Sequence, residues 1–407
     1  MGWWMRMASL LETVPYISLL FLTAIIYLEG IPGLRWLVWT ARLLLVAGLI
    51  LWFLKIRRQF NAAVNVPLLF WGFFVYSMAS VFWSSSTQPF AAVASDLVTL
   101  CLFFFMAINI IQTRAQLQQV LVLINGITLL FALITIARAL SSGVLRFGAF
   151  PGQDPNVYGF YLLLAMGFQL VFIAAGPQQR DFWPNVALLV VNLISLLITG
   201  SRGDFLAFFI MFLLAFLVGS VRKRWLIWAG LMMVLFLLLP PGRALWERFA
   251  ALAVDRGSKR LDIWWIGWHM IQSHPWFGVG LSNFPTELGS YVARIKTATT
   301  IHPGTGVHDS IIGICSELGL VGLLFFLYLL VTVFNHGWRI VKRFQRDNFE
   351  NLAIKGLLIA SMGIFIASLF LGAYFRKYFW LPWILIEVLY YYQYHPDEVQ
   401  ATLKVES

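Results

Sequence analysis

Long apolar runs, broken by short polar stretches, follow one another along almost the whole chain. A helix that spans a bilayer needs about 20 mostly apolar residues. Runs of about that length recur near 13 to 29, 35 to 54, 66 to 83, 93 to 111, 117 to 140 and 156 to 175. Six more follow near 183 to 199, 203 to 219, 224 to 240, 308 to 335, 352 to 373 and 376 to 393. They are continuous rather than alternating, which argues against a spanning β-barrel. The pattern predicts an all-α, polytopic membrane protein of about twelve transmembrane helices. The first run follows Arg6 and superficially resembles a signal peptide, but no small-x-small cleavage site comes after it, so it reads as the first span.

One polar interruption is long, from Pro241 to Val307, between the ninth and tenth runs. Inside it, after Arg260, the apolar residues Leu261, Ile263, Trp264, Trp265, Trp268 and Ile271 recur at helical spacing. His274-Pro275 and the glycines Gly278 and Gly280 then end the pattern in a turn. An aromatic-rich amphipathic helix of this kind lies in the membrane interface with its apolar face in lipid, so the segment is expected to rest on the membrane as a lid.

Composition agrees with the pattern. Of 407 residues, 60% are hydrophobic and 12% charged, where soluble domains carry about 25% charged residues. The net charge of +11 would point to nucleic acid in a soluble protein. In a membrane protein its distribution matters more, because Lys and Arg concentrate in cytoplasmic loops. With the N-terminus inside, the inner loops collect Lys55, Arg57, Arg58, Arg114, Arg180, Arg222, Lys223, Arg224, Arg339, Lys342, Arg343, Arg346 and Lys355. The short outer loops then hold only Arg35, Arg138, Arg146, Arg202, Arg376 and Lys377. Both termini are therefore expected in the cytoplasm, with 241–307 outside and no nucleic-acid partner. Cys101 and Cys315 lie within apolar runs and read as free thiols rather than a disulfide.

Charges at odds with an apolar environment mark the candidate chemistry, since a charge at the membrane centre costs about 2.5–3.5 kcal/mol even on lenient scales. Arg202 sits in Thr199-Gly200-Ser201-Arg202-Gly203-Asp204, a break too tight for a solvated loop. The glycines permit a sharp helix–helix reversal that presents the guanidinium beside a helix N-terminus, an arrangement suited to an anion; the competing reading is a salt bridge to Asp204. Arg260 opens the amphipathic helix and either binds ligand or snorkels to lipid phosphate. His308 begins the tenth run on the same side, where neighbouring arginines keep an imidazole neutral and able to take a hydroxyl proton. Arg376 and Lys377, in Tyr374-Phe375-Arg376-Lys377-Tyr378, are a further outer pair that either flanks the membrane or contacts ligand. Asp154 before Pro155 reads as a helix N-terminal signal, and Glu317 as structural. The chain has no Walker A loop, no His/Cys spacing for zinc and no Asp-x-Asp pair for a metal-held nucleotide sugar. Neither metal nor cofactor is expected.

Five pieces of sequence then stand together: Gly152-Gln153-Asp154-Pro155-Asn156; Thr199-Gly200-Ser201-Arg202-Gly203; Arg260-Leu261-Asp262-Ile263-Trp264; His274-Pro275-Trp276-Phe277-Gly278-Val279-Gly280 with Asn283-Phe284; and His308-Asp309 with Glu317-Leu318-Gly319-Leu320-Val321-Gly322. In order and spacing the set resembles the O-antigen ligase and O-antigen polymerase superfamily of bacterial surface-polysaccharide assembly. The resemblance divides the chain into N-terminal transmembrane helices (1–150), a shared core (151–335, including the outer loop 241–307) and C-terminal helices with a short tail (336–407). It implies a membrane-embedded, metal-independent inverting glycosyltransferase at the bacterial inner membrane. The implied donor is an undecaprenyl diphosphate-linked glycan, and the acceptor is lipid A-core for a ligase or a growing glycan for a polymerase. Arg202 and Arg260 match the arginines that hold the donor diphosphate, joined here by Arg376 and Lys377 as further diphosphate contacts, and His308 matches the histidine that activates the acceptor. One departure stands out: Asp309 occupies a position usually taken by Asn, where an acid could hold the His308 ring or raise its pKa. A small-anion transporter is the alternative from another class. It would place charges along a path through the membrane, and few exist beyond Arg42 and Glu317.

Overall fold

The computed structural model describes residues 2–28, 31, 33–58, 68–143, 145–177, 181–218, 240–251, 260–295, 301–302, 304–344 and 348–394, with Ile227, Gly230, Leu231, Val234 and Leu238 between. Among these residues the protein is all-helical, with no strand. The helices are α1 (Gly2–Ile26), α2 (Arg35–Arg58), α3 (Leu68–Ala79), α4 (Gln88–Ile110), α5 (Arg114–Ser142), α6 (Pro155–Ala174), α7 (Phe182–Thr199), α8 (Arg202–Val218), α9 (Pro240–Ala250), α10 (Arg260–Ser273), α11 (Phe284–Ile295), α12 (Ser310–Arg343), α13 (Phe349–Ser368) and α14 (Lys377–Tyr394).

Helices α1–α8 and α12–α14 fall on the apolar runs of the sequence, while most of the ninth run, 224–240, lies outside the described residues. Among the described residues seven helices are long and apolar enough to cross a membrane: α2, α4, α5, α6, α7, α12 and α13. The apolar stretches Thr13–Ile26 and Leu68–Phe82 are shorter. Helix α14 carries Lys377, Pro382 and Glu387 and is buried on nearly every side, from Phe379 to Leu389. A helix apolar all round belongs in an interior, and α6, α13 and α14 form that interior. Helix α2 lies at the rim, with Trp36, Trp39, Leu43 and Phe53 exposed.

Local signals set the ends of the helices. Thr113 and Gln116 form a capping box that starts α5, and Gly143 ends it in the left-handed region. Asp154 caps α6 through the N–H groups of Asn156 and Val157, with Pro155 first in the helix, as the sequence implies.

Helices α9–α11 belong to the long polar segment. Helix α10 forms where the spacing puts it, but its apolar side divides. Ile263, Ile266 and Met270 enter a small core with Val279, Phe284, Leu288, Tyr291 and Val307, while Leu261, Trp265 and Trp268 stay exposed. Gly267 is the reason: a Cβ there would stand 2.5 Å from Ile312 Cγ2, so the bare backbone lets α10 close onto α12. Half of the face expected in lipid is therefore packed on protein, and the tryptophans keep the other half.

Helix α12 is broken at Gly319, whose φ is 69°. Residues 275–280 run alongside the break and take up its backbone groups: Val279 and Gly280 N–H donate to the carbonyls of Ser316 (2.9 Å) and Glu317 (2.8 Å), and Leu320 and Val321 N–H donate to those of Pro275 (2.8 Å) and Trp276 (3.3 Å). Non-helical backbone at membrane depth is tolerated when protein satisfies it in this way. A Cβ on Gly319 would meet the Trp276 carbonyl at 2.1 Å, and one on Gly278 would meet Glu317 backbone at 2.4 Å. The Glu317 carboxylate also accepts from Ser282 N–H (2.8 Å) and Phe284 N–H (3.2 Å), which gives it the structural role its sequence position suggests. From the other side the turn between α3 and α4 joins in. Trp83 Nε1 donates to the Phe277 carbonyl (2.9 Å), and Ser86 N–H donates to the Asn283 side chain (3.2 Å).

Candidate active site

At the end of the bundle where α5 meets α6, α7 meets α8 and α13 meets α14, a cavity of about 180 Å³ is lined by Arg146, Asn156, Arg202, Arg248, Arg260 and His308, among others. Arg202, Arg260 and His308, singled out from the sequence, thus face one space. Each is delivered by a different local device. Helix α7 ends on Gly200 in the left-handed conformation, Thr199 Oγ1 accepts from Ser201 N–H, and α8 restarts at Arg202. The cavity therefore sits at a helix N-terminus, where unpaired N–H groups and the helix dipole favour an anion. Gly203 lets Phe370 press against the turn, since a Cβ would lie 2.9 Å from it.

Arg202 is 9% exposed and its Nη1 donates to the Arg248 carbonyl (2.7 Å). The Arg248 guanidinium in turn donates to the Gly200 carbonyl. This reciprocal pair ties α9 to the α7–α8 turn. The Arg146 N–H donates to the Ile198 carbonyl (2.8 Å) and docks the α5–α6 connection on the same turn. Arg260 is the first residue of α10. His308 is held at φ 51°, one residue before the cap of α12. Asp309 is that cap: its Oδ1 accepts from Ile312 N–H at 2.7 Å. The acid that the sequence sets beside the His308 ring is instead used by the helix, and burial raises its pKa.

The electrostatics follow from four guanidiniums in a small space. Burial lowers the Arg260 pKa and the nearby Arg202 and Arg146 lower it further, against the pull of Asp204 and Asp154. Burial also lowers the His308 pKa and Arg260 adds to the effect, with Asp154 opposing. The side chains of Arg260 and His308 make no hydrogen bond among the described residues. A guanidinium with no hydrogen-bond partner among the described residues, beside an imidazole whose pKa is lowered, leaves room for an anion and for one transferred proton.

Arg376 and Lys377 lie elsewhere. Arg376 lines a second cavity, of about 290 Å³, which meets the first at His308 and Leu371. Lys377 is buried, and its Nζ donates to Asp96 Oδ1 at 2.8 Å, an oxygen that also pairs with Arg42. Its position is explained by that ion pair. Arg248 and Arg146, by contrast, join the cavity with little announcement in the sequence, whereas Asn156 stands in the first motif piece. Arg248 belongs to none of the motif pieces, and the α9 helix that carries it has only its long polar setting as a signal.

Residues 187–327 match the family model described as O-antigen ligase. The chain carries an O-antigen ligase domain. That segment is similar to the O-antigen ligase and polymerase superfamily, in line with the motif set. The domain holds Arg202, Arg248, Arg260 and His308, whereas Arg146, Asn156 and Phe370 reach the same cavity from outside the matched segment. No curated protein matches the chain. A superfamily of this kind acts on polysaccharide and lipid-linked substrates.

Proposed function

We propose that this O-antigen ligase-family protein is a glycosyltransferase that moves a polysaccharide from undecaprenyl diphosphate to a hydroxyl of lipid A-core, without a metal and with inversion. The observation that carries the reading is the cavity in which four arginines surround one uncommitted histidine. A diphosphate leaving group gains negative charge as its bond to the anomeric carbon breaks. Arg202 and Arg260, supported by Arg146 and Arg248, are placed to stabilise it, a task that elsewhere falls to a cation.

In this scheme His308 takes the proton from the acceptor hydroxyl as its oxygen bonds to the anomeric carbon. The carbon–oxygen bond to the diphosphate breaks, and its electron pair leaves with the diphosphate into the arginine cavity. One base and a single displacement give inversion with no covalent enzyme intermediate. The protein is assigned to the bacterial inner membrane with both termini in the cytoplasm. The charge distribution of the loops then puts the cavity on the outer side.

The test uses purified protein in lipid nanodiscs with a diphosphate-linked glycan donor. The His308→Ala variant should lose about 10²–10⁴-fold of transfer, the range of a removed general base; transfer at the wild-type rate would overturn the assignment. In cells, deletion should leave carrier-linked polymer without a ladder on lipid A-core. Single-repeat products would instead identify a polymerase that extends the chain on the carrier.

A further inference from the structure

The second cavity has no part in holding the diphosphate, yet it opens on the same histidine. It combines aromatic walls, Phe284, Tyr374 and Phe375, with the polar groups of Asp96 and Arg376. Asp96 is the informative residue. Both of its ion pairs, to Arg42 and to Lys377, engage Oδ1. The carboxylate is thereby fixed by two cations while Oδ2 has no protein donor among the described residues, and the side chain is 23% exposed where it lines the cavity. A fixed acceptor oxygen beside aromatic faces is suited to a sugar ring, whose hydroxyls donate while its C–H face packs on the rings. About 290 Å³ is the low end of the range for small-ligand pockets, enough for a terminal sugar and too little for a polymer.

We infer that this cavity is the acceptor subsite, binding the terminal sugar of the accepting glycan with Asp96 Oδ2 on one hydroxyl and its reacting hydroxyl against His308. The inference rests on the transfer reading above. His308 is the only titratable side chain that lines both cavities among the described residues. It stands where the acceptor oxygen must lose its proton and the anomeric carbon must arrive. The bond between them forms at the junction, and the diphosphate departs into the arginine side. Arg376, at the mouth of the second cavity, then contacts the acceptor rather than the donor. The accepting sugar has two sources, lipid A-core or a carrier-linked repeat, and both present the same chemistry.

The experiment separates the acceptor from the donor. Val93 lines the second cavity and is not a member of the ion pairs, so Val93→Trp fills it, and Asp96→Asn removes its charge. With rough lipid A-core and a carrier-linked repeat offered separately, each variant should raise KM for the accepted substrate by about 10-fold or more while undecaprenyl diphosphate still binds within about twofold of wild type. Retained carrier binding also shows that the variant is folded. An unchanged acceptor KM in Val93→Trp, or donor affinity falling together with acceptor affinity, overturns the inference. Binding of lipid-free core oligosaccharide, followed by saturation-transfer NMR, is independent of turnover. If wild type binds it, Val93→Trp does not and no transfer occurs to either acceptor, the sugar site stands and the transfer reading fails. No binding of that oligosaccharide to wild type, with the KM of both acceptors unmoved in the variants, overturns the sugar site itself.

Discussion

The proposed chemistry rests on residues that cost free energy to keep in an apolar chain. Arg202 in a three-residue break and His308 at a helix start are conspicuous because an apolar chain has little reason to hold them. Arg248 and Arg146 were hidden, since what brings them to Gly200 and Ile198 is a pair of tertiary backbone contacts that leave no spacing in the sequence. Arg376 and Lys377 look alike in sequence but part in space, one lining a cavity and one buried against Asp96. The pH behaviour belongs at this scale. With the His308 pKa below its ordinary value of about 6.5, the ring stays a base at neutral pH and transfer is lost only on acidification, with its midpoint below that value. Because the Arg260 charge helps to lower it, residual activity in Arg260→Gln should have its acid midpoint at higher pH than wild type. A midpoint that does not move would separate Arg260 from the histidine. The same variant should lose about 10²–10³-fold of kcat, the usual effect of removing one donor to a developing anion.

At the level of elements, the apolar runs located the helices because length and hydropathy are local properties. What they left out was the partnership between motif pieces. His274-Pro275-Trp276-Phe277-Gly278-Val279-Gly280 and Glu317-Leu318-Gly319-Leu320-Val321-Gly322 look like two separate signatures. In space they are one feature, a broken helix and the segment that satisfies its backbone. Gly278 and Gly319 sit where backbone meets backbone, and only a residue without a side chain fits there. Substituting Gly319 by Ala therefore combines a left-handed φ of 69° with a Cβ 2.1 Å from the Trp276 carbonyl. The strain alone costs about 1–3 kcal/mol, and relief requires the two segments to separate. Thermal melting in nanodiscs should show a clear drop for Gly319→Ala, and little change for Gly126→Ala, where a Cβ meets nothing within 4 Å. Similar drops for both would mean that the break carries no special load.

For the whole molecule, one end of the bundle gathers both cavities, and the proposed topology has that end on the outer side. Labelling with a membrane-impermeant maleimide checks the assignment. Thr286→Cys, exposed on α11 near the cavities, should react in intact cells, and Arg339→Cys, exposed near the far end of α12, should react only after permeabilisation. Cys315 is buried and Cys101 half-buried, which keeps the background low. The reverse pattern would invert the topology. The clamp at the broken helix also bears on how such a chain is made. Trp83 and its hydrogen-bond partner at Phe277 are 194 residues apart, and chains emerge from the ribosome at about 5–20 residues per second. The α3–α4 turn thus waits some 10–40 seconds for the segment that completes it. Until that segment and the first half of α12 have both emerged, the second cavity lacks a wall and His308 lacks its place. By this order of assembly the proposed transfer cannot begin until the chain has been made through the first half of α12.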